Sequence, residues 1–323
     1  MAIGSPYPLA EQALSANNGA IINLWIFTKI SLFRRQNRRP QTNGRNPALN
    51  RGKQAFSLPR TKAAIKNTEP AHPRRTYMAT AIDMSKHKKD FYAEVRRLAN
   101  AQFQSKQYQR LLNLPINQER AQRYVLQKGF WNLNRRDCWG FAQGLAPMDV
   151  KAMIWDHELD ELQGNDSRGV EDHYSLQVRQ SATIGLTRAD FENEVPMDET
   201  LTCVYAWIHL ARDTHWLTSL ASCAALEVSN SSEWVDGGGM SYRWGKKQEA
   251  ELGIPFSKQL NAKEHAEVDI EHAGMLPKVV EKHCDTPAKL EHCMVGLKES
   301  WALDRAWKGA LAGLMEQLPG PSK

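Results

Sequence analysis

The spacing of the apolar residues constrains this chain more than any other feature. From about Met84 onward they recur three and four positions apart through long segments, and runs of alternating β-branched residues are missing. A chain patterned this way buries its hydrophobic faces as helices, so the expected fold class is all-α. Predicted helices run over Lys86 to Gln107, Asn117 to Leu133, Arg135 to Gln163, Val170 to Gly185, Asp198 to Ser229, Tyr242 to Leu252, Pro255 to Lys282 and Pro287 to Gln317. Between them stand Leu114-Pro115, Gly164-Asn165-Asp166, Val195-Pro196, Gly237-Gly238-Gly239 and Thr286-Pro287, the residues that stop helices and make turns. No repeat of fixed period is visible, which argues against a solenoid. A chain of 323 residues that is 41% hydrophobic has enough apolar surface for a sizeable core.

The net charge of +6 is unevenly distributed. Residues 1–77 carry thirteen Lys or Arg against Glu11 and Glu69, whereas residues 78–323 carry 29 against 34 acidic residues. The body is therefore mildly acidic, and nucleic-acid binding is not expected of it. The first 80 residues are rich in Asn, Pro, Arg and Gly without periodicity, and a disordered extension is expected there. That segment reads as an upstream extension with Met78 or Met84 as the working start, as an organellar targeting sequence, or as an interaction arm. Its apolar run, Ile21 to Phe33, contains Lys29 and is shorter than the roughly 20 residues that cross a bilayer. Five cysteines (Cys138, Cys203, Cys223, Cys284 and Cys293) form no CxxC, so reduced thiols and a cytoplasmic location are expected. The helical domain is expected over 81–318, followed by a short tail over 319–323.

Chemistry concentrates in KEHAEVDIEH, Lys263 to His272. At about 100° per residue, His265, Asp269 and His272 leave the helix within a sector of roughly 60°. Lys263, Glu264, Glu267 and Glu271 are expected to point to water. Two further segments offer donors of the same kind. Glu227 ends the apolar stretch Leu201 to Glu227, where a carboxylate is costly unless it is exposed, protonated, paired or metal-bound. Asp160-Glu161 closes the helix before Gly164, and His173 opens the next one.

Together these residues resemble the haem-oxygenase-like di-iron oxidases, relatives of the pyrroloquinoline-quinone synthesis protein PqqC, the TenA thiaminases and the chlamydial protein CADD. The matching elements are Asp160-Glu161-Leu-Gln-Gly164, His173-Tyr-Ser-Leu176, Ala225-Leu226-Glu227, His265-x3-Asp269-x2-His272, and Thr183 to Pro196 after the His173 helix. The likeness spans roughly Phe91 to Leu314. Glu161 and His173 stand further apart than is usual in that family, so Asn165 to Gly169 resembles an inserted loop, and His157 is an alternative to His173 or a supporting partner.

The resemblance implies a haem-oxygenase-like bundle of about seven to eight helices. It also implies that Glu161, His173, Glu227, His265, Asp269 and His272 bind two ferrous ions, with dioxygen as co-substrate and an external reductant. Such a centre would oxidise a small metabolite of amino-acid, amine or fatty-acid type by N-oxygenation, desaturation or C–C cleavage. An iron pair and a manganese–iron pair are both open. Expected partners are the substrate and an electron donor, with no membrane; a homodimer is also open. Nitrogen and oxygen donors suit such a centre, whereas structural zinc favours cysteine, and the paired Glu-x-x-His of ferritin-like bundles is absent. The competing reading is a metal-free enzyme of the TenA or PqqC kind, or a helical interaction protein that keeps only the fold.

His283-Cys284 and His292-Cys293 are not expected to form a second metal site, because neighbouring side chains on a helix diverge. The triple glycine lacks the Lys-Ser/Thr of a phosphate loop and is expected to be a connector. Trp131, Trp139, Trp155, Trp207, Trp216, Trp234 and Trp244 are expected in the core and pocket walls.

Overall fold

The computed structural model describes residues 83–165 and 169–321; the readings made for the basic extension lie outside these residues. Among the described residues the fold is all-helical, apart from one isolated antiparallel bridge between Asn165 and Val170. The helices are α1 (Met84–Gln104), α2 (Lys106–Asn113), α3 (Gln118–Leu145), α4 (Met148–Gln163), α5 (His173–Ser181), α6 (Arg188–Asn193), α7 (Asp198–Arg212), α8 (Trp216–Asn230), α9 (Met240–Leu252), α10 (Leu260–Ala273), α11 (Met275–His283) and α12 (Pro287–Glu316).

Helix α8 forms the axis of the bundle. Every residue from Leu217 to Ser229 is buried, as an element apolar around its whole circumference must be. Helices α3, α7, α10 and α12 pack around it, and α12 makes the most extensive contact. The two backbones approach closely at Gly296, where an added Cβ would lie 2.2 Å from Thr218 O. Trp301 Nε1 then ties α12 to α8 through Ala225 O (2.9 Å) and Ser229 Oγ (2.7 Å). Trp139 and Trp207 are fully buried, as expected, and so are Trp301 and Trp307; Trp155, by contrast, is 63% exposed and belongs to neither core nor pocket wall.

Several predicted boundaries shift. The split expected at Asn134 does not occur: α3 runs unbroken to Leu145, and the chain turns instead at Ala146-Pro147, where proline suits the helix entry. Asp198 to Ser229 is two helices, because His215 leaves helical geometry and its Nδ1 accepts the Leu217 N–H (3.2 Å), capping α8. Pro255 to Lys282 comprises a 3₁₀ turn (Phe256–Lys258), α10 and α11, with Gly274 between the last two. The first predicted helix ends at Gln104, since Ser105 caps α2 by accepting the Tyr108 N–H (3.3 Å).

Candidate metal centre

Four helices deliver donor groups to one buried point. Helix α4 carries His157 and Glu161, α5 carries His173 at its first position, α8 carries Glu227, and α10 carries His265, Asp269 and His272. Asp172 fixes the start of α5, its Oδ1 accepting the Ser175 N–H at 2.8 Å, and so sets the direction in which His173 leaves. The two short α5-side segments meet because Gly164 ends α4 at φ +75°, where a Cβ would lie 2.2 Å from Val170 O. The Asn165–Val170 bridge then turns the chain back on itself. The longer spacing between Glu161 and His173 thus leaves the pair in contact, with His173 Nδ1 2.9 Å from Glu161 Oε1.

All six predicted residues converge. His265 Nδ1 lies 3.2 Å from Asp269 Oδ1, and His272 Nδ1 lies 3.6 Å from Glu161 Oε1 and 3.9 Å from Asp269 Oδ1. Donor atoms of Glu227, Asp269 and His272 fall within 4.8 Å of one another, as do those of His157, Glu161 and His272. His157, expected as an alternative to His173 or a supporting partner, joins the cluster alongside His173: its Nε2 is 3.8 Å from Glu227 Oε1 and its ring 4.2 Å from that of His272. Its i,i+4 relation to Glu161 was the signal in the sequence. Of the charged face of α10, Lys263, Glu267 and Glu271 do point to water, but Glu264 is partly buried.

Groups on α3 and α4 hold the cluster in place. Arg136 Nη1 lies 2.9 Å from Glu161 Oε2 and 2.8 Å from Glu158 Oε1, and Glu158 Oε1 also lies 3.0 Å from His157 Nδ1. Arg135 donates to Cys223 O (2.6 Å) and sits 3.4 Å from Glu227. Burial alone would raise the Glu161 carboxyl, but Arg136 and His173 hold it well below the ordinary carboxylate value. Asp269 is pushed well above its usual value by burial, with Glu227 and Glu161 adding repulsion. Burial, reinforced by neighbouring imidazoles, lowers His265 to about 3 and His272 to about 4, so both are neutral near pH 7, the form that can donate a lone pair to a metal.

The donors fit a metal better than they fit one another. Asp269 is completely buried, and its Oδ2 has no hydrogen-bond partner; neither do His157 Nε2, His272 Nδ1 and His173 Nε2. Native interiors leave few such groups unsatisfied. Four imidazoles and three carboxylates, with no thiol among them, make a nitrogen–oxygen set suited to iron. The His-Cys pairs do not converge: His283 contacts Asp149 (2.8 Å), His292 stacks on His215, and Cys284 lies 3.8 Å from Cys293.

A cavity of about 170 Å³ opens beside Glu161, His173, Glu227 and His265. Tyr124, Trp131 and Trp244 give it an aromatic wall. Cationic residues line it as well: Lys128 and the two arginines from α3, and Lys308 from α12. Tyr124, Lys128, Trp131 and Arg135 recur at helical spacing along one face of α3, and the predicted break at Asn134 separated Arg135 from the other three.

A family model described as "iron-containing redox enzyme" matches residues 122–305, more than half of the chain. The chain belongs to that family. Its fold is haem-oxygenase-like: it is similar to a domain of unknown function with a heme oxygenase-like fold from Shewanella denitrificans (13% identity, TM-score 0.54, covering 74% of this chain and 94% of that one). It is likewise similar to a CADD-like protein of unknown function from Nostoc punctiforme (16% identity, TM-score 0.55, covering 69% and 97%). No curated protein matches the chain. Among the described residues no helix is long and apolar enough to cross a membrane.

Proposed function

We propose that the cluster is a non-haem di-iron centre and that the protein is an oxidase or oxygenase acting on a small metabolite. The observation that carries this reading is the buried, unpartnered Oδ2 of Asp269 among four imidazoles and two further carboxylates. Without a cation, such a set is a costly use of the interior. Glu161, His173, Glu227, His265, Asp269 and His272 would hold two ferrous ions, with His157 as a seventh donor. The chemistry such a metal pair supplies is the reduction of dioxygen with electrons from an external donor.

The protein's own groups do the remaining work. Arg136 and Glu158 orient Glu161 and His157, which keeps their donor atoms aimed at the centre. Arg135 does the same for Glu227. The aromatic wall excludes water and bounds the space available to a substrate.

Metal content after anaerobic ferrous loading tests the reading. About two irons per chain are expected. Less than about one, unchanged by Asp269→Ala or His272→Ala, would support instead a metal-free enzyme or interaction protein built on the same fold.

A further inference from the structure

The charges around the cavity are unequal in one respect. Of its cationic side chains, Arg135 is held by Cys223 O and Glu227, and Arg136 by Glu158 and Glu161. Lys308 lies 3.7 Å from Asp304 and 4.4 Å above the Trp307 ring. Lys128 has no hydrogen bond and no ion pair among the described residues, although it is partly buried and lines the cavity. An ammonium partly shielded from water and without a partner is poorly solvated, so an occupant that brings an anion to it is favoured.

The acidic side chains show the converse. Outside the metal cluster, the carboxylates lining the cavity are Asp172 and Asp304. Asp172 caps α5, and Asp304 accepts from Tyr108 and faces Lys308. Neither is left over to receive an ammonium group. The polar end of the occupant is therefore negative, and the aromatic wall of Tyr124, Trp131 and Trp244 calls for an apolar body.

We propose that the cavity binds a small apolar carboxylate, whose carboxylate is held by Lys128 Nζ and whose body lies against Trp131 and Trp244. The inference rests on the di-iron reading only in calling this ligand a substrate. The binding itself is a property of the side chains and is tested without metal. Burial and the nearby Lys308 lower the Lys128 ammonium to about 8, with the more distant charges of Asp269 and Glu161 opposing them.

The test uses three probes of one length, octanoate, octanamide and octylamine, titrated into the full-length, iron-free protein by calorimetry and tryptophan fluorescence. Octanoate should bind at least about tenfold more tightly than octanamide, the range expected of a hydrogen bond to a charged group. Lys128→Met should abolish that preference and Lys128→Arg should keep it, with thermal melts confirming that both variants fold. The inference is overturned if octanoate shows no saturable binding, if octanamide or octylamine binds as well, or if the preference survives in Lys128→Met. Iron content, measured separately, reports on the metal centre, so the two readings can fail independently.

Discussion

Two clusters of buried charge lie in this bundle, and they are built on opposite terms. In one, Asp304 accepts from Tyr108 and faces Lys308, whose ammonium also lies over Trp307. Each ion there has its counterpart. In the other, three carboxylates and four imidazoles crowd together, and four nitrogen or oxygen atoms of that group have no hydrogen-bond partner. The first arrangement is compensated within itself; the second, with Arg135 and Arg136 as its fixed counter-charges, still leaves bonding capacity unmet. Burial and charge alone thus do not mark a functional site. What distinguishes it is unmet bonding capacity.

The largest expected effect falls on the satisfied cluster. Asp304→Ala should destabilise the protein by about 3–5 kcal/mol in denaturant titrations, since it strands a buried ammonium. The double change Asp304→Leu with Lys308→Met should recover most of that loss, and neither should alter iron uptake.

The unsatisfied cluster should respond in reverse. Asp269→Ala or His272→Ala should lower iron affinity by about a hundredfold or more in metal titrations. The metal-free melting temperature should hold or rise, because burial of the Asp269 carboxylate is unfavourable there.

A smaller effect is expected one layer out. Glu158→Gln should reduce iron affinity about tenfold, by loosening His157 without removing a donor. Equal losses from Glu158→Gln and His272→Ala would blur the line drawn between donors and their supports.

The smallest effect is on pH dependence. Lys128 loses its charge as pH rises through about 8, so octanoate affinity should be flat over roughly pH 6 to 7, where the ligand's carboxyl is ionised, and decline above that. The decline should vanish in Lys128→Met.

How much of this was legible in the sequence differs between the two halves of the site. His265, Asp269 and His272 share one helix, so the 3.6-residue period alone places them together. Glu161, His173 and Glu227 come from three helices, and only resemblance to a known pattern grouped them. The fold class followed from periodicity, because α-helical spacing persists through every long segment. Helix ends were harder to read where side chains rather than proline or glycine terminate them, as at Ser105 and His215. Lys128, Arg135 and Arg136 were overlooked for a tertiary reason: their importance depends on what faces α3, and the sequence does not display the opposite wall.

The bridge between Asn165 and Val170 has a use beyond shaping the centre. It joins the chain to itself through two backbone bonds (2.8 and 3.0 Å) four residues after Glu161 and three before His173, so the end of α4 and the approach to α5 are fastened independently of any side chain. The two donors therefore move as one unit, and loss of either donor's bonding partner leaves the other still anchored by backbone.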